Sequence, residues 1–391
     1  MDSTGSRNTS RPEWELLLAA LTVASSDSAH APVQLSRAIE ARPDWQKLLR
    51  LADHHGVSSL LLHKLSGLGV NVPANVLAEL ARKYEINVRK SLFLARELFR
   101  ILDCAQKLGI ELIPYKGLVL SETYYGDMAA RHSGDLDLFV RKNDVMRLKE
   151  PLSELGYAPR VAISKNAERD YLAYGYECTF DSPAGKNLLE LQWALQPRFY
   201  AVDYDMEGLF SRAINVAVAG RNVKTPSPED LMLVLSLHAA KHVWGSLIWL
   251  CDIERLLRKE NVNWDWVRAE AGRLGIVRIV HITLILAGRL VGAEIPKSIE
   301  KETAQDRAAE TFADQIANDI GAQTSYGEEQ LSYFQLMMRL RERRADRWRF
   351  FWRLALTPGP GEWGAVHLPK PLFPLYRAVR LARLAARFAR G

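Results

Sequence analysis

Apolar positions recur at three- and four-residue spacing over residues 13–108, which predicts an almost wholly helical opening region. Leu94, Leu98, Ile101, Ala105 and Leu108 form the clearest buried stripe, and Gly109 ends it. The period then changes. Ile110-Glu111-Leu112-Ile113-Pro114 reads as a short strand, followed by Tyr115-Lys116-Gly117 and an apolar helical stretch through Leu118, Leu120 and Tyr124. A second strand follows in Arg131-His132-Ser133-Gly134-Asp135-Leu136-Asp137-Leu138-Phe139-Val140. Side chains alternate along a strand, so Asp135 and Asp137 share one face while Leu136 and Leu138 take the other. Residues 143–155 predict a helix with Asn143 as its N-cap and Gly156 as the glycine that closes it. Residues 174–180 and 187–193 read as two strands of a hairpin, because Pro183 and Gly185 lie between two apolar runs.

Ser227-Pro228-Glu229-Asp230 opens a further helix: serine caps, proline fits the first turn, and Asp230 sits at the reciprocal capping position. That helix and its continuation carry His238, Lys241, His242, Trp244, Trp249 and Asp252. Helices over 263–274, ended by Gly275, and over 277–291 come next, before an arginine-rich remainder broken at Thr357-Pro358-Gly359-Pro360-Gly361. The expected fold class is α+β: a small mixed sheet flanked by N-terminal and C-terminal helical regions. The expected division is a disordered lead over 1–12, a helical region over 13–108, an α/β core over 109–222, a helical domain completing a cleft over 223–295, and an arginine-rich helical region over 296–391.

Composition narrows the function classes. Hydrophobic residues at 48% and charged residues at 25% are ordinary for a globular protein, and 391 residues suffice for two or three cores. No run of about 18 apolar residues predicts a membrane-spanning helix. Glu13 and Glu15 precede the first apolar run, which is wrong for a signal peptide, so a cytoplasmic location is the default expectation. Cys104, Cys178 and Cys251 are too scattered for a disulfide framework or a zinc ribbon. The net charge of +6 suits an anionic ligand or surface. Arg377, Arg380, Arg383, Arg387 and Arg390 flank Tyr376, Val379, Leu384 and Phe388, which fits a helix resting on an anionic membrane, an acidic partner or an acidic groove of the protein itself. Arginines without regular aromatic interleaving do not make a nucleic-acid module.

The acidic strand is either a solvated face or a metal site. Two carboxylates at that spacing can share Mg2+, a hard cation that prefers carboxylate and phosphate oxygens. Lys116-Gly117 sits at a strand-to-helix turn, where glycine lets a backbone approach phosphate. Glu190 is a lone acid in the apolar strand Leu188-Leu189-Glu190-Leu191-Gln192-Trp193, and a neighbouring strand can bring it beside Asp135 and Asp137; Glu177 competes from the partner strand. Lys241 and His238, one turn apart, can reach polyphosphate oxygens, although His238, His242, Trp249 and Asp252 equally suit a structural network. Arg131 faces phosphate, or anchors the acidic strand through Asp127 or Asp135.

The order of these motifs resembles the polymerase-β-like nucleotidyltransferases, and within them an uncharacterised bacterial family. The residues that carry the resemblance are Pro114-Tyr115-Lys116-Gly117, Tyr125-Gly126-Asp127, Arg131 with Asp135-Leu136-Asp137, Leu155-Gly156-Tyr157, Glu190-Leu191-Gln192-Trp193, His238-Ala239-Ala240-Lys241-His242, Trp249 and Asp252, over residues 45–291. The chain departs from the pattern at Gly117-Leu118, where a phosphate-holding serine is usual, and at Gln192-Trp193, where His-Trp is common. The resemblance implies Mg2+-dependent transfer of a nucleoside monophosphate from an NTP to an acceptor. Asp135, Asp137 and Glu190 become the metal ligands and catalytic residues, and Lys116, Gly117, Arg131, Lys241 and His238 the nucleotide-binding residues. A carbohydrate, a peptide natural product and a protein side chain all remain open as acceptors. The alternative is a catalytically silent nucleotide-binding or scaffold protein that keeps the fold.

Overall fold

The computed structural model describes residues 11–22, 30–67, 72–160, 168–182, 185–324, 330–357, 366, 368, 372 and 375–388. Of the expected disordered lead, residues 1–10 lie outside these, and Pro12 already begins a helix. Four short helices come first: α1 (Pro12–Leu21), α2 (His30–Glu40), α3 (Trp45–His54) and α4 (Ser58–Ser66). They lead into α5 (Ala74–Lys107), whose 34 residues span about 50 Å at 1.5 Å per residue. That length lets α5 serve two cores: Val76 and Leu80 pack with the N-terminal helices, while Leu94, Leu98, Ile101 and Ala105 pack against the sheet.

The five-stranded sheet has the order β1-β2-β5-β4-β3, from β1 (Leu112–Pro114), β2 (Leu136–Val140), β3 (Ala158–Pro159), β4 (Glu177–Ser182) and β5 (Gly185–Gln192). The pair β2–β5 is parallel and the others antiparallel, so the sheet is mixed as the element order predicts. The parallel pairing requires a crossover, supplied by α6 (Val145–Glu154) and α7 (Glu168–Tyr174). Leu136, Leu138 and Val140 on β2, with Leu189 and Leu191 on β5, are buried in the core that α5 and α6 also line.

Three local readings change. Asn143 does not cap α6: residues 142–144 form a 3-10 turn and the helix starts at Val145 with no side-chain cap. Tyr174 ends α7 instead of starting a strand, and β4 begins at Glu177. The segment after Gly117 is one α-helical turn (Leu118–Leu120) running directly into a π-turn (Ser121–Tyr125). Leu118 is buried in the sheet's core, so the position after Gly117 serves packing. The expected hairpin is formed, with Ser182 opposite Gly185; residues 183–184 lie outside the described set.

Beyond the sheet come α8 (Met206–Arg212), a two-stranded ribbon of β6 (Ile214–Val218) and β7 (Arg221–Thr225), and then α9 (Pro228–Lys241), α10 (Leu247–Lys259), α11 (Trp264–Leu274) and α12 (Val277–Val291). Ser227 caps α9 as its sequence predicts, accepting the Asp230 amide at 3.2 Å. The remaining helices are α13 (Lys297–Gln305), α14 (Arg307–Ala322), α15 (Leu331–Arg339), α16 (Arg344–Leu356) and α17 (Tyr376–Phe388). One apolar cluster joins the N-terminal helices to α9–α12 and to Phe350 and Leu354 of α16. No helix among the described residues is long and apolar enough to cross a membrane. Arg390, expected on the basic terminal flank, lies outside the described residues.

Candidate active site

The parallel pairing of β2 with β5 sets the centre of the site. Asp137 stands opposite Glu190 in the register, between the buried pairs Leu136–Leu189 and Leu138–Leu191. A one-residue slip would turn the acids into the core and the leucines out, so burial of the leucine face fixes the acidic face. Asp135 lies two residues ahead of Asp137, in the loop that enters β2. Glu190 is half-buried on this face and does not enter the apolar core.

Like charges held this close raise one another's pKa. Burial pushes Glu190 up to about 8, with Asp137, Glu177 and Asp135 adding to the effect and Lys116 opposing it. Burial and Asp137 push Asp135 up to about 6, against Lys116, Arg131 and Lys90. Asp137 is buried, and its Oδ1 makes no hydrogen bond; its charge is met by Lys116 Nζ at 3.0 Å. Two carboxylates with raised proton affinity, beside a third that is buried and met by Lys116, are the donor chemistry a hard divalent cation displaces protons from. Among the described residues, no three His, Cys, Asp or Glu side chains form a ready-made metal cage.

Lys116 is itself held from two sides. Its Nζ lies 3.5 Å from His238 Nδ1 and 5.0 Å from the centre of the Tyr115 ring. Burial and the neighbouring Lys116, His242 and Lys241 hold His238 well below its usual pKa, so it is neutral and its Nδ1 accepts from the ammonium. His238 also packs edge-on against His242 and Trp249, at 5.0 and 5.1 Å between ring centres. Gly117 has φ +60 and ψ −122, a conformation that disfavours any side chain, and a Cβ there would sit 3.3 Å from Ser133 Oγ. The Lys116-Gly117 turn therefore packs directly on the loop that delivers Asp135.

The other side of the acids is ordered by a hydrogen-bond chain in which Tyr115, Tyr176 and Gln192 take roles that sequence reading did not assign them. Tyr115, stacked on Phe139 at 3.9 Å, donates its hydroxyl to Gln192 Oε1 at 2.8 Å. The Gln192 amide nitrogen then donates to Glu190 Oε2 at 3.2 Å and to Glu177 Oε2 at 3.4 Å. Glutamine at this position thus orients both acids. Lys241 Nζ donates to the Tyr176 hydroxyl at 3.0 Å, and that hydroxyl donates to Glu177. Tyr115 and Tyr176 carry a weak local signal: each adjoins a residue already marked, Lys116 and Glu177.

Arg131 points elsewhere. Its guanidinium makes a bidentate pair with Asp252 of α10, at 2.8 and 2.9 Å, and Tyr125 donates to the same carboxylate at 2.8 Å. Neither Asp127 nor Asp135 is its partner in this arrangement. Asp127 instead accepts from Tyr84 at 2.8 Å and from the Ala129 amide at 2.8 Å. The Arg131–Asp252 pair ties the acidic loop to the helical layer and holds the guanidinium fully protonated.

The chain belongs to the family described as uncharacterised nucleotidyltransferase, whose model matches residues 41–292. This span takes in α3 to α12 with the whole sheet. Two solved structures are similar in part. One is the antibiotic-resistance factor ANT(2'')-Ia in solution, 15% identical, covering 58% of this chain and 98% of that one at a TM-score of 0.30. The other is an antigenic nucleotidyltransferase-like protein from Paracoccidioides brasiliensis, 17% identical, covering 52% of this chain and 94% of that one at a TM-score of 0.32. No curated protein matches the chain.

Proposed function

We propose that the protein is a Mg2+-dependent nucleotidyltransferase of the polymerase-β-like superfamily, moving a nucleoside monophosphate from an NTP to an acceptor. The observation that carries the reading is the β2–β5 register, which sets Asp137 beside Glu190 with Asp135 leading into the same face. Asp135, Asp137 and Glu190 would hold Mg2+, which when bound neutralises phosphate charge and lowers the pKa of a coordinated hydroxyl. Lys116 exchanges Asp137 for the polyphosphate, and His238 keeps its ammonium aimed at the cleft. Lys241 meets the phosphates from the α9 side, and the Gly117 backbone lets them approach. The acceptor hydroxyl attacks the α-phosphorus, its proton passes to Glu190, the bond to the bridging oxygen breaks, and pyrophosphate leaves. Arg131 acts as a positioning residue through Asp252.

The division at residues 109, 223 and 296 is our functional partition: sheet and acids, cleft-closing helices, basic tail. A bacterial source and a cytoplasmic location complete the reading, with the arginine-rich end meeting an anionic membrane surface or an acidic partner. The silent-scaffold alternative rests on Leu118 standing where a phosphate-holding serine is usual, and the nucleotidyltransferase family match over residues 41–292 does not favour it. The test is transfer of label from α-labelled NTPs in Mg2+ with pooled small-molecule and protein acceptors. Asp135→Ala and Asp137→Ala are expected to lose about 100-fold or more of the transfer. NTP binding with no transfer to any pool would return the scaffold reading.

A further inference from the structure

Charge and exposed apolar surface are both unevenly spread along the chain. Residues 341–391 hold 12 lysines and arginines against 3 acids, so they are net +9 while residues 1–340 are net −3. Eight of the eleven large apolar side chains that stand exposed among the described residues lie between Trp348 and Leu381. The two excesses coincide on α16 and α17. On α16, Trp348, Phe351, Trp352 and Leu356 recur at helical spacing on the outer face, and the exposed Arg344 and Arg349 share it. Neither helix adds an exposed acid: Asp346 of α16 is buried, and α17 contains none.

The inner face of α16 is already covered. Phe350 and Leu354 are buried in the main core, with Phe350 against Phe199 and Tyr200 at 6.2 and 6.0 Å between ring centres. Arg353 pairs with Asp203 at 2.7 and 2.8 Å, and Arg380 of α17 donates to Leu354 O at 3.2 Å. Tyr200 in turn meets Tyr333, whose hydroxyl donates to Lys241 O at 2.6 Å. The outer face is thus joined through packed side chains to the helix that carries Lys241. A helix apolar on two opposite faces belongs in a core or at a lipid boundary, and here one face alone is covered. An acidic protein surface would match the arginines and set two tryptophans, a phenylalanine and a leucine against charge. An anionic bilayer matches both groups at once, with arginines at the headgroups and aromatic rings at the boundary with the acyl chains.

We propose that the outer face of α16, with α17 beside it, docks the protein on an anionic lipid surface. Trp348, Phe351, Trp352 and Leu356 enter the headgroup region, while Arg344 and Arg349 meet the anionic headgroups. Because α16 is fixed on the fold, the dock sets the orientation of the cleft to the membrane and is not a loose tether. The proposal rests on the reading that the arginine-rich end meets an anionic surface, and stands apart from the catalytic reading.

The full chain is titrated with vesicles of phosphatidylcholine alone, with vesicles that also contain phosphatidylserine, with polyglutamate and with single-stranded RNA. Acyl chains brominated near the headgroup report insertion by quenching tryptophan emission. Binding with quenching is expected on the phosphatidylserine vesicles, and little binding on phosphatidylcholine alone. Trp348→Ser with Trp352→Ser should weaken the binding about ten- to hundred-fold and remove most of the quenching. Arg344→Gln with Arg349→Gln should weaken it about ten-fold and keep the quenching of the bound fraction. All four side chains are exposed, so both double variants should keep the wild-type urea midpoint. No binding to anionic vesicles, equal binding to both vesicle types, binding without quenching, or unweakened binding by the tryptophan variant overturns the proposal. Polyglutamate bound where vesicles are not assigns an acidic protein and keeps the anionic-surface reading; neither bound removes both. RNA bound more tightly than anionic vesicles overturns the proposal in favour of nucleic acid. Manganese-dependent nucleotide binding, measured alongside, reports on the catalytic reading whatever the vesicles show.

Discussion

Removing Asp252 tests whether Arg131 is a structural anchor or a phosphate ligand. Arg131 is 6% exposed and Asp252 2% exposed, and the pair is bidentate. Asp252→Ala leaves a buried guanidinium without its counter-charge and the Tyr125 hydroxyl without its acceptor. Breaking a buried pair from one side costs about 3–5 kcal/mol, because the surviving charge stays desolvated. The Tyr125 bond lies within that range, since both donors lose the same carboxylate. Urea unfolding followed by tryptophan fluorescence reads the loss directly; the chain has 10 tryptophans. An Arg131→Met, Asp252→Leu double variant removes both charges and should recover most of the stability, which distinguishes a stranded charge from a lost contact. A cost below about 1 kcal/mol for Asp252→Ala would refute the anchor, since that is the scale of an exposed pair.

Three further outcomes follow from the geometry. His55 is fully buried against Trp14, with burial and His54 pushing its pKa down to about 4. The unfolded chain binds this proton from about pH 6.5 downward and the folded chain does not, so up to about 3 kcal/mol of stability is lost as pH falls from 6.5 to 4. His55→Phe should flatten the urea midpoint between pH 7 and 5; an unchanged slope would remove His55 as the cause. Gly117→Ala should cost about 1–3 kcal/mol and weaken nucleotide binding, because φ +60 is joined to a Cβ 3.3 Å from Ser133 Oγ. Gly126→Ala, at φ +73 in open space, should cost less and spare binding; equal effects would contradict the packing argument. On α16, Trp348, Phe351 and Trp352 are 61%, 45% and 55% exposed on an arginine-rich helix. The chain should co-sediment with anionic vesicles and not zwitterionic ones, and lose that binding in Trp348→Ala, Trp352→Ala. Equal binding to both vesicle types would rule out the basic tail as the cause.

What was legible in the sequence was local. Asp135-Leu136-Asp137 announces its two faces through alternation alone, and Glu190 stands out because its neighbours are leucines. Ser227 with Asp230 marks a helix start within four residues, and the structure has it. Asn143 failed because a 3-10 turn uses residues 142–144, a choice that cap preference does not see. The rest of the site is made by distant pairs. Arg131 finds Asp252 across 121 positions and Tyr115 finds Gln192 across 77, where nothing in the spacing joins them. Lys116 looked like a free phosphate ligand because its two neighbours, Asp137 and His238, reach it only after the sheet and α9 have packed.

Asp135, Asp137 and Glu190 would hold a divalent cation together with a nucleotide. Manganese, a paramagnetic substitute for magnesium, can be titrated into the protein with a non-hydrolysable NTP and read by electron paramagnetic resonance. Nucleotide-dependent manganese binding is expected, lost in Asp135→Ala and Asp137→Ala and weakened in Glu190→Gln. Binding that is the same in the wild type and all three variants would contradict it.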